Sequence, residues 1–204
     1  MQRSKANWNG VIDMQRINSK TLAHMMLLKI LGSAKCVVDA TAGNGHDTVF
    51  LAEHSGDDCV VYAFDIQQDA LNSTKRLAEE RGVVEKVRLV LDSHENVAMH
   101  VTDEIDVAMF NLGYLPTGDH QITTQADSTM KAILTMVQKL SVGGMVTVVS
   151  YSGHEAGAKE QERLFNELVK LPVRYYTVSS FRMINHKETA PMLFVIEKVR
   201  CESR

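Results

Sequence analysis

The chain has 204 residues, of which 45% are hydrophobic, with a formal net charge of −3 and a pI near 6.2. That size and apolar content are sufficient for one domain with its own core, here expected over residues 1–204. A weakly acidic chain lacks the broad basic field of a general polyanion binder, so any nucleic-acid contact is expected to be local.

Cysteine content and hydropathy indicate the compartment. The three cysteines, at positions 36, 59 and 201, form no pairable disulfide framework. No apolar stretch approaches the roughly 20 residues that a membrane helix needs, and the N-terminal residues lack the apolar core of a signal peptide. We therefore expect a soluble, cytoplasmic protein that has no membrane partner.

Helices and strands alternate along the chain. Asn18 and Ser19 can cap an opening helix over about residues 18–31, which ends at Gly32. Further helices are predicted over 47–53, 68–81, 128–140 (stopped by Gly143-Gly144) and 160–170. Strands are predicted over 36–39, 60–65, 87–91, 105–111, 145–151, 175–182 and 192–197. This alternation predicts an α/β fold, and the segment 183–191 is too short for a helical crossover, so the last two strands should form an antiparallel hairpin.

A glycine-rich turn joins the first strand to the next helix, in the run Asp39-Ala-Thr-Ala-Gly43-Asn-Gly45-His-Asp-Thr48. The two glycines allow backbone torsions and a close approach of a ligand, and the new helix offers unpaired N–H groups. A dinucleotide fingerprint would have a third glycine where Thr48 stands. Here an acid precedes the glycines instead, and the order Asp39, Gly43, Gly45 resembles motif I of class I S-adenosylmethionine (SAM) methyltransferases. A structural turn without a ligand is the alternative interpretation.

The second strand ends in another acid. Asp65 follows Gly45 by twenty residues (65 − 45), a position at which a carboxylate can hold two ribose hydroxyls. Together the two features predict SAM as the cofactor. The predicted cofactor-binding residues are Asp39, Ala40, Thr41, Gly43, Asn44, Gly45, His46, Asp47, Asp65, Ile66, Gln67, Ser93, His94 and Asn111.

A second motif follows the strand 105–111, in the run Asn111-Leu-Gly-Tyr114-Leu-Pro116. It resembles the N-P-P-Y element of methyltransferases that act on nitrogen, with Leu112-Gly113 in place of the two prolines. The Asn side chain and the next carbonyl can hold a target amino group while the aromatic ring packs on a planar substrate. Direct methyl displacement depends mainly on such alignment. An ordinary turn at the end of a strand is the alternative, because Asn and Gly are common turn residues.

Histidines mark the same edge of the predicted sheet. Five of the eight follow the carboxyl end of a predicted strand, namely His46, His94, His120, His154 and His186. We expect His46 and His94 on the cofactor side and His120 and His154 on the acceptor side, with a polar loop residue of no special role as the alternative for each. His54 and His100 are expected to be solvated surface residues. No metal site is predicted, because no two of the five share a short ligand spacing and there is no Cys/His cluster.

Four motifs in order resemble one family: residues 39–48, Asn111–Asp119, Ile122–Thr124 and Ser152–Gly157 are similar to the small methyltransferases long labelled putative rRNA methylases. Members of that family convert 5-aminomethyl-2-thiouridine at the tRNA wobble position to its 5-methylaminomethyl form. The resemblance covers nearly the whole chain. It implies a Rossmann-like class I fold with a mostly parallel seven-stranded sheet, SAM as cofactor and the tRNA anticodon stem-loop as partner, and it leaves a homodimer open. The chain departs from the family at Thr117 and His120, where Gly and Lys are usual, and the absence of that Lys removes one cation from the expected substrate loop.

The candidate catalytic residues have different expected roles. Asn111 and Tyr114 are predicted to position the acceptor, Asp119 to pair electrostatically with its ammonium group, and His154 to relay a proton. A primary aminomethyl group is largely protonated near neutral pH and only the free base can attack, so a His is the best matched proton acceptor, with water as another. Alternative functions are methylation of rRNA or of a small-molecule amine, NAD-dependent redox chemistry, and non-catalytic RNA binding on the same fold.

Overall fold

The computed structural model of the chain describes residues 17–112, 126–153 and 155–201. The predicted site residues Tyr114, Asp119, His120 and His154 lie outside these ranges. The described α-helices are α1 (Ser19–Leu31), α2 (His46–His54), α3 (Gln68–Glu80), α4 (Val97–His100), α5 (Ala126–Lys139) and α6 (Glu155–Leu168). The described strands are β1 (Cys36–Asp39), β2 (Val60–Asp65), β3 (Val87–Leu91), β4 (Ile105–Asn111), β5 (Leu140–Ser150), β6 (Tyr176–Phe181) and β7 (Met192–Lys198). Short 3-10 turns precede β3 at Val84–Lys86 and α4 at His94–Asn96.

One seven-stranded sheet contains all of these strands in the order β3-β2-β1-β4-β5-β7-β6. The pairs from β3 through β5 are parallel, whereas β7 is antiparallel to both β5 and β6. The predicted sheet and its antiparallel hairpin are therefore confirmed. The strand order reverses between β1 and β4, and at such a reversal the carboxyl ends of the strands open a crevice for ligands.

The central strands are buried on both faces, because helices cover both sides of the sheet. Val38 of β1 and Phe110 of β4 belong to one apolar cluster, while Val37 and Met109 belong to a second cluster on the opposite face. All four side chains are fully buried. Near-continuous apolar runs are typical of such doubly covered parallel strands, and burial of this kind stabilises the fold by about 25 cal/mol per Å² of apolar surface.

Helix α1 begins at a capping box. The Asn18 side chain accepts from the Thr21 N–H at 2.9 Å, and the Thr21 hydroxyl oxygen accepts from the Asn18 N–H at 2.8 Å. Ala23, Leu27 and Leu31 form its buried face, and the Ser19 hydroxyl donates to the carbonyl of Pro191 at 2.6 Å. The predicted cap is confirmed, and α1 is fixed both to the sheet and to the loop before β7.

Strand β5 differs from its prediction. It begins at Leu140, directly after α5, so the assignment of Gly143 and Gly144 to a helix stop was wrong. Gly143 has φ +85°, and a Cβ on Gly144 would lie 2.9 Å from the Ser141 carbonyl oxygen. The pairing of β5 with β4 shifts register between Ile105 and Val107. The two glycines therefore permit an irregularity within a longer strand.

Other differences concern the start of one helix and one short additional helix. Helix α6 begins at Glu155 instead of 160, and the short α4 was not predicted. Glu160 lies inside α6, where it is buried and accepts from the Thr129 hydroxyl of α5 at 2.9 Å. A buried carboxyl at a helix contact looks like a polar helix start in the sequence, which explains the late boundary. In the described part of the chain, no helix is long and apolar enough to cross a membrane.

Candidate active site

The glycine-rich turn lies over the point where the strand order reverses. The Ala40 N–H donates to the Met109 carbonyl of β4, and the Ala42 N–H donates to the Phe64 carbonyl of β2, each at 2.9 Å. The turn thus bridges the carboxyl ends of the two strands that flank β1. This places its backbone in the crevice that the fold provides for ligands.

The two glycines of the turn have positive φ, +52° at Gly43 and +84° at Gly45. A Cβ on Gly45 would lie 2.6 Å from the Cα of Thr74 in α3. The close neighbour that excludes a side chain at Gly45 is therefore a helix, whereas the sequence analysis had expected a ligand. The Thr74 hydroxyl also donates to the Gly43 carbonyl at 3.2 Å, so α3 supports the turn from below.

Asp65 fixes the turn to the end of β2. One carboxylate oxygen accepts from the Gly43 N–H at 3.0 Å and the other accepts from the Gln67 N–H at 2.9 Å. Each carboxylate oxygen can accept more than one hydrogen bond, so acceptor capacity remains for a ligand's hydroxyl groups. Ile66 follows with 56% of its surface exposed, which leaves an apolar side chain at the edge of the crevice.

Asp39, at the end of β1, is completely buried. Its carboxylate accepts from the Thr41 N–H at 3.1 Å and from the Thr48 hydroxyl at 2.6 Å. Burial, together with the charges of Asp47 and Asp65, raises the pKa of Asp39 to about 7, although these two hydrogen bonds lower it. Asp39 therefore holds the turn together and changes its charge near neutral pH.

Asp47, in the first turn of α2, contacts helix α1 and strand β4. One carboxylate oxygen lies 2.9 Å from the Lys20 ammonium and 2.8 Å from His24 Nε2, and the other accepts from Asn111 Nδ2 at 3.0 Å. Burial raises the pKa of Asp47, but the hydrogen bonds from His24 and Lys20 outweigh it, so the pKa lies below its usual range. Asp47 was predicted to bind the cofactor, whereas its side chain contacts these three residues.

Sequence reasoning missed His24. It lies four residues after Lys20 on α1, so the two side chains share one helix face. Its ring stacks on Phe50 with a centroid distance of 3.7 Å. Two basic side chains at this spacing, on a helix that is otherwise largely apolar, were the available signal.

Asn111 is held at its backbone and its side chain. Its N–H donates to the Thr41 hydroxyl of the turn at 2.8 Å, and the next residue, Leu112, donates to the Val149 carbonyl of β5 at 2.9 Å. With Nδ2 bonded to Asp47, the side-chain oxygen is the group left to accept from a substrate, and no described residue donates to it. The end of β4 thus presents a hydrogen-bond acceptor in the crevice.

His94 contacts the glycine-rich turn. Its Nδ1 lies 3.0 Å from the Ala40 carbonyl, and its ring meets the edge of Phe110 at a centroid distance of 5.6 Å. Burial lowers the pKa of His94, although its bond to Ala40 opposes this. Its Nε2 is buried and has no hydrogen-bond partner among the described residues. An unpaired buried acceptor is costly, which suits a site that a ligand completes.

The other predicted cofactor residues also lie along the turn or at strand ends. His46 is exposed at the start of α2, whereas Thr41, Asn44, Gln67 and Ser93 are partly buried. In the part of the chain that the structure describes, no side chain caps the first turn of α2. Helix N-termini of this kind favour anionic groups such as carboxylates.

A cavity of about 300 Å³ adjoins the crevice between α1 and the loop before β7. Its lining includes Lys20, Tyr151, Met183 and His186. Burial raises the pKa of Tyr151, and the charge of Asp47 adds to this, so the phenol stays protonated. His186 was predicted to lie at this edge of the sheet, whereas Tyr151 was not identified from the sequence.

The two histidines that were expected to be solvated are both exposed, and the ring of each contacts a hydrogen-bond partner. His54 Nδ1 lies 2.8 Å from the Phe50 carbonyl, and His100 Nε2 lies 2.7 Å from the Asp92 carboxylate. Within residues 17–112, 126–153 and 155–201, no three metal-ligating side chains cluster.

The site fits SAM in three respects. The start of α2 suits the carboxylate of SAM, and the acid at the end of β2 suits its ribose. The Nε2 of His94, which no described residue contacts by a hydrogen bond, offers a buried acceptor. The sheet order with its antiparallel β7, together with this turn, defines a class I SAM-dependent methyltransferase.

Comparison with known proteins identifies the family. The model of the family described as "Putative rRNA methylase" matches residues 61–197, and the chain belongs to this family. A curated relative, the chloroplastic tRNA (mnm(5)s(2)U34)-methyltransferase of Arabidopsis thaliana, is 33% identical over 193 residues, which cover 90% of this chain and 70% of the relative.

Solved structures of similar proteins agree with this family assignment. A protein described as a putative rRNA methylase from Clostridium thermocellum has a TM-score of 0.87 and 34% identity, covering 91% of this chain and all of its own. A Streptococcus mutans protein described as a putative methyltransferase, solved with S-adenosylhomocysteine (SAH), has a TM-score of 0.82 and 36% identity over 90% of this chain and 99% of its own. The chain is a SAM-dependent methyltransferase, and the predicted cofactor is confirmed.

Proposed function

We propose that this enzyme methylates the amine of 5-aminomethyl-2-thiouridine at the wobble position of tRNA, giving 5-methylaminomethyl-2-thiouridine. The single observation that supports this substrate is the 33% identity, over 90% of the chain, to a plant enzyme whose name states the mnm(5)s(2)U34 product. The anticodon stem-loop is the corresponding partner. The small, weakly acidic chain is compatible with a local contact to a single stem-loop.

In this proposal the turn and its neighbours hold the cofactor. The first-turn N–H groups of α2 bind the carboxylate of SAM, Asp65 binds the ribose hydroxyls, and Ile66 packs on the adenine. Ser93 and His94 complete the pocket at the end of β3. When bound, SAM would supply an activated methyl group, because the sulfonium sulfur can leave as a thioether when an amine lone pair attacks the methyl carbon.

The acceptor side is built around Asn111. Its side-chain oxygen accepts a hydrogen bond from the substrate amine, which directs the nitrogen lone pair toward the cofactor side of the crevice. Tyr114 packs on the uridine base, Asp119 attracts the ammonium form, and His154 accepts the proton that the amine must lose before it attacks. Only Asn111 of these four lies within the described residues, and its bond to Asp47 supports this orientation.

Nucleoside analysis in cells tests the substrate. In cells that lack the enzyme, mass spectrometry of tRNA digests should show loss of 5-methylaminomethyl-2-thiouridine and accumulation of the 5-aminomethyl form. Expression of the wild-type chain should restore the methylated nucleoside, and expression of the Asn111→Ala variant should not. Unchanged tRNA nucleosides accompanied by a lost methyl group in rRNA would refute the proposal and favour an rRNA substrate.

A further inference from the structure

Asp47 links helix α1 to the predicted acceptor residue. Its side chain is 6% exposed, and its two oxygens contact Lys20 and His24 on one side and Asn111 on the other. A buried carboxylate in such contacts is bound through charge-assisted hydrogen bonds, which are stronger than neutral ones and directional. Asp47 therefore has one preferred orientation.

The orientation of Asp47 determines that of the Asn111 amide. Because the amide nitrogen donates to Asp47 Oδ2 at 3.0 Å, the amide oxygen points away from Asp47. A rotated amide would place two acceptor oxygens against each other, which is unfavourable. The contact thus selects the rotamer of Asn111 in which an acceptor faces the crevice.

Helix α1 holds both basic residues rigidly. The His24 ring is stacked on Phe50 with an interplanar angle of 6°, which fixes the direction of Nε2. The helix itself is anchored by its buried face and by the bond from Ser19 to the Pro191 carbonyl. Lys20 and His24 are therefore placed by the fold, and they do not depend on a ligand for their positions.

We propose that Asp47 is a positioning residue for the methyl transfer, and that Lys20 and His24 of α1 hold it so that Asn111 presents its amide oxygen to the acceptor amine. Asp47 acts through Asn111 and is not itself a ligand of the cofactor. The kinetic part of this inference rests on the proposed function, because it requires an acceptor at Asn111.

Kinetics with matched controls test the proposal. Asp47→Ala and the double variant Lys20→Met/His24→Gln should lower kcat by roughly 10- to 100-fold, the effect of misplacement by about 1 Å, while the Kd for SAM changes by less than about threefold. Lys29→Met removes an exposed cation from the same helix, and His54→Gln removes another imidazole that contacts Phe50. Both controls should turn over like the wild type. A large loss of SAM affinity in Asp47→Ala would overturn the assignment and make Asp47 a cofactor residue.

A double-mutant cycle separates positioning from general damage to the structure. In the Asn111→Ala background, Asp47→Ala should lower kcat by less than about twofold, because the two residues act as a unit. An undiminished effect in that background would contradict a role through Asn111. Unfolding midpoints of all variants identify any that fail to fold, and the double variant at the partly exposed Lys20 and His24 then provides the test.

A second readout does not depend on the substrate. The side-chain amide signals of Asn111, assigned by their disappearance in Asn111→Asp, should shift in NMR spectra of Lys20→Met/His24→Gln and stay in place in both controls. Unshifted signals would overturn the inference. If they shift but the wild type methylates no aminomethyl-uridine tRNA, the proposed function fails while the positioning contact stands.

Discussion

Three carboxylates surround the glycine-rich turn, and their contacts give each a different task. Asp65 accepts from two backbone N–H groups, Asp39 is buried against Thr48, and Asp47 is paired with Lys20 and His24. Ionisation follows these contacts, since the pKa is raised to about 7 for Asp39 and lowered for Asp47. Chemistry at this turn therefore depends on single residues that can be varied one at a time.

Removal of the Asp65 carboxylate should weaken cofactor binding. We expect Asp65→Ala to lose about 1.5–3 kcal/mol of SAM affinity, the range for charged hydrogen bonds, because the ribose hydroxyls and the Gly43 N–H both lose their acceptor. Calorimetric titration with SAM measures this, with Asp69→Ala, an exposed acid on α3, as the matched control. A folded Asp65→Ala variant with wild-type affinity would refute the assignment.

Asp39 should make stability depend on pH. The pKa of Asp39 is about 7 in the folded chain, against an ordinary value of 3.8 for an unfolded chain. Between these values the folded state keeps a proton that the unfolded chain has released. The stabilisation of the fold by this bound proton is complete below pH 3.8 and is lost as the pH rises to about 7. The wild type should therefore lose stability relative to Asp39→Asn by up to about 1.4 kcal/mol per pH unit within that window.

Urea unfolding at pH 5 and pH 8 compares the two chains. Asn preserves the size of the side chain and an acceptor for the Thr41 N–H, so the variant should gain relative stability at pH 8. Equal pH slopes for the two chains would show that Asp39 does not titrate in this range.

At the scale of elements, the turn depends on how α2 packs against α3. Gly45 has φ +84° and no room for a Cβ beside Thr74. A Cβ added to Gly32, after α1, would have no atom of the described residues within 4 Å. We expect Gly45→Ala to destabilise the fold by roughly 1–3 kcal/mol through strain and overpacking, and Gly32→Ala to have an effect below about 1 kcal/mol. Denaturant midpoints measure both. A Gly45→Ala variant as stable as the wild type would contradict the close contact with α3.

The first four strands could be predicted from the sequence because each is a short apolar run between polar turns. The first residues of strand β5, 140–144, could not, because they include Gly143 and Gly144, which in a sequence indicate a break. The strand conformation at Gly144 depends on the neighbouring β4, where the carbonyls of Asp106 and Ile105 occupy the space of a side chain. A tertiary contact of this kind has no local signal.

The candidate site likewise contains some residues that could be predicted from the sequence and others that could not. The turn, Asp65 and Asn111 were predicted, because each follows directly from a motif at the end of a strand. The contact of Asp47 with α1 was not, because it joins residues 23 positions apart in the chain, from different elements. Tyr151 was missed for the same reason, since its surroundings include the loop before β7.

At the scale of the whole molecule, the proposed tRNA binding would use few cations, because the net charge is −3. The cations expected from the sequence to contact RNA are Arg174, Arg182 and Lys187 around the hairpin of β6 and β7, together with Lys20 and Arg16. Of these, Arg16 lies outside the described residues and Lys20 is paired with Asp47. Arg174 lies over the ring of Tyr175, at 5.7 Å from its centroid. The exposed cations of the hairpin loop are therefore the best candidates.

Salt dependence of tRNA binding tests this arrangement. With about 2–4 phosphates neutralised, log affinity should fall by about 0.7 per contact for each unit of log salt. Arg182→Ala and Lys187→Ala should each lower the slope, whereas Lys75→Ala, an exposed cation of α3 at the other end of the sheet, should not. A slope several times steeper would mean that a broad basic surface, such as a homodimer could form, contacts the RNA.

Methyl transfer by the purified enzyme tests the central claim most directly. The assay supplies SAM and tRNA that has 5-aminomethyl-2-thiouridine at position 34, with tRNA that has unmodified uridine at that position and ribosomal RNA as matched acceptors. We predict that mass spectrometry finds the new methyl group on the wobble amine of the first tRNA and on neither control. Methylation of ribosomal RNA, or of both tRNAs alike, would contradict the proposal.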